Sequence, residues 1–232
     1  MTMSVVQTTG VPARGGGFTG AVRSEWVKLS VRSTRWSLLG ALGLVLGHVL
    51  IITLSATASH ANGIEVPPMT PMGVAAISVM NVALPALVVL AALSIAGEYA
   101  TGSIRSTLQW VPRRGRMLAS KAAVLLPVLF ACGVVLGALG AGIAKAVLGG
   151  LAVDEAGGEV VRQLAALGGY VALVGVTTVG LGAVLRSVAG TIASTIALLW
   201  VVPQVLSGLG IEVAARIADY FPGGAGMALL GA

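Results

Sequence analysis

"MGVAAISVMNVALPALVVLAALSIA" (Met72–Ala96) carries no charged residue, and it runs straight into "GEYATGSIRSTLQWVPRRGRMLASK" (Gly97–Lys121), which carries Glu98, Arg105, Arg113, Arg114, Arg116 and Lys121. About 20 apolar residues in a helix cross the hydrocarbon of a bilayer. The first stretch is long enough to do so with some tilt. The second cannot enter hydrocarbon, so the boundary between them marks a membrane surface.

The composition extends this reading to the whole chain. Only 9% of the 232 residues are charged and 56% are hydrophobic, against roughly 25% charged in a soluble domain. Fourteen basic and 8 acidic side chains cannot coat a soluble core of this size. The pattern predicts an all-α integral membrane protein of five spans: 36–54, 72–96, 118–148, 161–185 and 188–209. The third is too long for a straight crossing, so its ends emerge or tilt. Around the spans, 1–17 reads as a flexible tail, 18–35 as an interfacial amphipathic helix and 36–209 as the transmembrane domain with a loop at 97–121. Residues 210–232 read as an extracytoplasmic or re-entrant tail. In 18–35, Val22, Trp26, Leu29 and Trp36 share one arc at 100° per residue, beside Lys28, Arg32 and Arg35. Such a helix lies in the acyl boundary with its cations among headgroups.

Charge fixes an expected orientation. The tail, the 97–121 loop and the short loop at Arg186 hold 11 of the Lys and Arg residues, while the opposite side holds only Lys145, Arg162 and Arg216. Acids run the other way, with only Glu25 and Glu98 on the basic side. Positive residues accumulate in the cytoplasm, so the N-terminus and the loop are expected there. On this reading Arg113, Arg114, Arg116 and Lys121 are topogenic, lipid-facing cations. The excess of Arg over Lys, with abundant Ala and Gly, points to a GC-rich bacterial genome, and so to a bacterial plasma membrane. The basic balance reflects topology, and nucleic acid is not an expected partner.

Catalytic signatures are sparse. No Gly-Lys-Ser/Thr phosphate loop exists. His48 and His60 are the only histidines and form no metal-ligand spacing, and no paired intramembrane carboxylates appear. No catalytic residue, cofactor or metal is therefore assigned to this chain. His48 reads as a polar contact to another helix, and Cys132 as a small buried hydrophobe. Asn81, Pro85, Pro127, Pro203 and Gln204 sit at membrane depth, where a proline removes a backbone donor and kinks a span. They are candidates for path lining or for helix packing. Gly43/Gly47 and Gly133/Gly137 have the spacing that lets helices approach closely.

"GEYATGSIRSTLQWVPRRGRMLASK" resembles the loop between the second and third spans in membrane subunits of type-2 ABC exporters. Members read Glu-aromatic-x-x-Gly-Thr-Ile-Arg, then a proline and basic residues, then Lys at the start of the third span. Ser103 stands where Thr is commoner. "SEWVKLSVRSTRWSLL" (24–39) is similar to the family's interfacial helix, so the resemblance covers about the first half of the chain. It implies a six-helix permease paired with a second membrane subunit and a separate cytoplasmic ATPase that holds the ATP and Mg. Glu98, Tyr99, Gly102 and Arg105 fall on the motif, as the coupling loop that docks on the ATPase. Five spans rather than six imply either a chain continuing into another span or a non-transporting relative, such as an immunity or sensory subunit.

Overall fold

The structure, a computed structural model, describes residues 17–29, 32–104, 109, 114–211, 213, 216, 217 and 221. Among them all regular structure is helical, apart from one isolated bridge between Met69 and Ala152. The helices are α1 (Phe18–Leu29), α2 (Arg32–Ala61), α3 (Pro71–Ser78), α4 (Leu84–Ala100), α5 (Arg114–Leu148), α6 (Gly157–Leu185), α7 (Val188–Ile196) and α8 (Val202–Gly208). Wide π turns at Val79–Ala83 and Ala197–Val201 join α3 to α4 and α7 to α8.

Five segments are long and apolar enough to cross a membrane: Arg35–Ala61, Pro71–Ala100, Arg114–Leu151, Gly157–Leu185 and Val188–Gly208. These spans make the chain compatible with a multi-pass membrane protein. Four of them overrun the boundaries that hydrophobicity suggests, spans 1 and 3 among them. Span 1 continues past Leu54 because Ser55 and Thr57 return their hydroxyls to the carbonyls of Ile52 and Leu54, at 2.8 and 3.0 Å. Polar side chains satisfied in this way do not require the helix to end. Span 3 begins at Arg114 rather than Leu118, so Arg114 and Arg116 form its exposed first turn.

Span 2 occupies the centre of the bundle. In its most apolar window 67% of residues are buried, against 22% in span 1 and 17% in span 5. A close helix approach joins α5 to α6. A Cβ built on Gly133 would lie 2.8 Å from the Gly168 Cα, so both positions need glycine. Gly137 of the same pair faces Leu164 and Leu167, whereas Gly43 and Gly47 face open space. The two pairs share one spacing, and among the described residues only Gly133/Gly137 packs against another helix. At the buried seam of spans 1 and 2, His48 Nδ1 lies 3.0 Å from Ser78 Oγ, the interhelical contact expected of it.

Both π turns stand in the same relation to a proline. The Leu84 N–H reaches back to the Val79 carbonyl and Pro85 follows; the Val202 N–H reaches the Ala197 carbonyl and Pro203 follows. Pro127 sits inside α5 with no such turn among the described residues.

The two ends of the bundle are fastened differently. At one end the start of α3 is held by Thr70, whose hydroxyl accepts the Gly73 N–H at 3.1 Å. Glu155 reaches across from the loop after α5 to accept the Met72 N–H at 3.1 Å. The Val153 N–H donates to the Met69 carbonyl at 3.0 Å, fixing that loop against the α2–α3 linker. A carboxylate suits this place, because a helix start presents unpaired N–H groups and partial positive charge. The opposite end is where α1, α4 and α5 meet.

Candidate functional site: a buried ion cluster at the ends of spans 2 and 3

Helix α1 packs against α5, burying Ala21 and Glu25 and half-burying Leu29, while Phe18 and Trp26 remain exposed. Glu25 has therefore been turned inward, and its partners come from far along the sequence. Lys121, in the third turn of α5, is only 1% exposed. Its ammonium donates to Glu25 Oε2 at 2.7 Å, to Glu98 Oε1 at 2.8 Å and to the Ser94 carbonyl at 2.8 Å. Those three bonds use every N–H a lysine has.

Lys28, one turn after Glu25 on α1, completes the cluster from the outside. Its ammonium donates to Glu25 Oε1 and to Glu98 Oε1, each at 2.7 Å. Two carboxylates and two ammonium groups sum to zero charge, which is how a buried ionic group is tolerated. Burial alone would push the Lys28 ammonium down. The hydrogen bonds it donates to Glu25 and Glu98, reinforced by their charges, outweigh that and hold its pKa above the usual lysine value. Among the described residues no buried side-chain polar atom lacks a partner.

The neighbouring residue, Tyr99, is gripped from another side. The Arg186 guanidinium lies over its ring, 5.8 Å from the centroid. Arg186 ends α6 in the left-handed conformation, φ 53° and ψ 22°, where glycine is the usual occupant. Span 2 then closes on Gly102 with φ 73°, again a left-handed turn and here one that suits the residue. The dipeptide Glu98–Tyr99 is thus the meeting point of α1, α5 and the turn between spans 4 and 5.

This geometry corrects one expectation. Lys121 does not face lipid; as the interior end of an ion cluster it is the most buried cation described. Glu98 is 9% exposed and bonded to Lys121 and Lys28. Arg105 of the loop motif lies outside the described residues, as do Arg113 and Pro112. Arg114 and Arg116 are exposed at the start of α5. Of the residues considered for a path, Asn81, Pro127 and Gln204 are exposed and Pro85 and Pro203 half-buried. They lie on three different spans, and none touches the ion cluster.

Sequence reasoning missed Glu25, Lys28, Ser94 and Arg186 as members of the site. A signal for Glu25 was present: it and Glu98 are the two acids on the basic side of the charge count. Chemically the cluster can tie helices together and transmit displacement. Among the described residues no group of three His, Cys, Asp or Glu side chains could hold a metal. Comparison with protein-family models, with curated proteins and with solved structures gives no match.

Proposed function

We propose that the chain is the membrane (permease) subunit of an ATP-binding-cassette exporter. Its N-terminus and Glu98 end lie in the bacterial cytoplasm. A separate P-loop subunit hydrolyses ATP, and a second membrane subunit completes the path. The observation that carries this reading is the junction at Glu98–Tyr99. A push on the loop that follows Gly102 reaches α1 and α5 through Glu98, and the turn between spans 4 and 5 through Tyr99. Coupling needs an element of this kind, whose position is felt at more than one site. The charge count and the resemblance of 97–121 to exporter loops support the same assignment.

The test is purification of the tagged chain from its native membrane after photolabelling with azido-ATP, with mass spectrometry of the labelled subunit. A stoichiometric P-loop ATPase is expected. In the reconstituted complex, Glu98→Gln should lower transport per ATP hydrolysed, because it removes the charge while keeping the shape. A purified complex without a nucleotide-labelled subunit overturns the proposal.

A further inference from the structure

Beside the ion cluster is a cleft of about 380 Å³ between α1, the start of α2, α4 and α5. Its size is at the lower end of the roughly 300–1,000 Å³ typical of small-molecule sites. One end is polar, formed by Glu25, Lys28, Glu98 and Thr101; the other is apolar, with Leu90 and Leu93 on α4. At a helical rise of about 1.5 Å per residue, Leu93 and Leu90 lie about 7 and 12 Å farther along the span than Glu98. The cleft therefore runs from the charged end of the span toward the interior of any bilayer the span crosses. Leu93 is 50% exposed, so protein does not seal the apolar end.

The cluster leaves a donor at the polar end. Lys28 uses two of its three N–H groups on Glu25 and Glu98, and its side chain stays 45% exposed. The Thr101 hydroxyl lines the same cleft but donates to the Gly97 carbonyl at 2.9 Å. An ammonium with a spare N–H is suited to an anionic oxygen. The carboxylates are already neutralised by Lys28 and Lys121, so the site as a whole demands no net charge from its occupant. We propose that this cleft binds one glycerophospholipid, its phosphodiester on Lys28 and one acyl chain along Leu93 and Leu90.

The proposal requires only that the chain spans a membrane, and it is independent of any ATPase. The experiment is native mass spectrometry of the delipidated full chain titrated with phosphatidylethanolamine or with diacylglycerol of the same chains. One phosphatidylethanolamine per chain is expected, with diacylglycerol bound at least tenfold more weakly. Lys28→Met, which loses the phosphate donor, should weaken phosphatidylethanolamine binding by about 10-fold or more, the scale of one charge-assisted hydrogen bond. Leu93→Trp fills the apolar end without touching the ion cluster and should weaken it similarly. Leu173→Trp, on an exposed apolar position of α6, should leave it unchanged. Equal binding of diacylglycerol, or full affinity in Leu93→Trp, overturns the proposal. So does an equal loss in Leu173→Trp, which would mean annular lipid rather than a site.

Discussion

Replacing Lys121 with Met keeps the length of the side chain and removes its charge. Two of its three hydrogen bonds go to carboxylates, at 2.7 and 2.8 Å, and a bond to a charged group is worth about 1.5–3 kcal/mol. Taken together these give about 3–6 kcal/mol. Removing one partner of a buried ion pair typically costs about 3–5 kcal/mol, because a charge is left behind. Here Glu25 and Glu98 keep Lys28 at 2.7 Å, and Lys28 is near water. That places the expected loss at the lower end, about 3 kcal/mol, or roughly a 100-fold shift in the folded ratio. The variant Glu25→Gln/Glu98→Gln/Lys121→Met leaves no uncompensated acid. It should regain about 2 kcal/mol relative to the sum of its single changes, as charge networks removed whole often do. Unfolding by SDS titration from lipid micelles measures all of these. A Lys121→Met variant as stable as wild type would refute the reasoning, as would strict additivity in the triple variant.

Arg186→Gly should be nearly neutral in the wild type, since relief of the left-handed backbone, about 1 kcal/mol, offsets a lost cation–π contact of about 0.5–1 kcal/mol; in a Tyr99→Leu background the same change should stabilise by about 1 kcal/mol, read from the same SDS titrations. Gly168→Ala should destabilise by about 1–3 kcal/mol, because its Cβ would meet the Phe130 carbonyl at 2.9 Å in a seam that cannot open freely. Gly43→Ala, with no neighbour within 4 Å, should stabilise by up to about 1 kcal/mol through helix propensity, and thermal melts will separate the two. The Lys28 ammonium is held above the usual 10.5. Its contribution is therefore fully present below that pH and is lost as pH rises through the higher folded value; a stability profile from pH 9 to 12 should fall more steeply in wild type than in Lys28→Met. Single cysteines at Ser59 and Ser106 in a Cys132→Ala background should label from opposite sides of the membrane, and labelling of Ser106 from outside intact cells would reverse the orientation.

Much of the architecture was legible because membrane helices announce themselves through composition. The run Met72–Ala96 and its charged sequel placed the second span to within a few residues. Ends were harder: Ser55 and Thr57 look like a linker, yet their hydroxyls bond within the helix. The site was legible at a single point, Glu98. Its partners were hidden because Glu25 and Lys121 are 96 residues apart in sequence, and nothing local distinguishes a lysine opening a span from one sealed beneath another helix. The glycine pairs teach the same lesson. Spacing reports that one helix face is smooth, but only the tertiary arrangement supplies a neighbour for Gly133 and none for Gly43. The prolines marked where spans 2 and 5 deviate without revealing that each deviation is a widened turn.

Those widened turns set the rotational phase of the spans. A helix advances about 100° per residue, and a π turn absorbs one residue without passing that rotation on. The start of α3 is fixed by Thr70 and Glu155, so the azimuth of everything beyond Ala83 is measured from that anchor. Rewinding Val79–Ala83 as regular α-helix with all its residues kept would swing Glu98 by about 100° around the span axis, away from both Lys28 and Lys121. The turn works as a vernier between two fasteners at opposite ends of span 2, and Glu98 meets its partners only at the setting this turn provides.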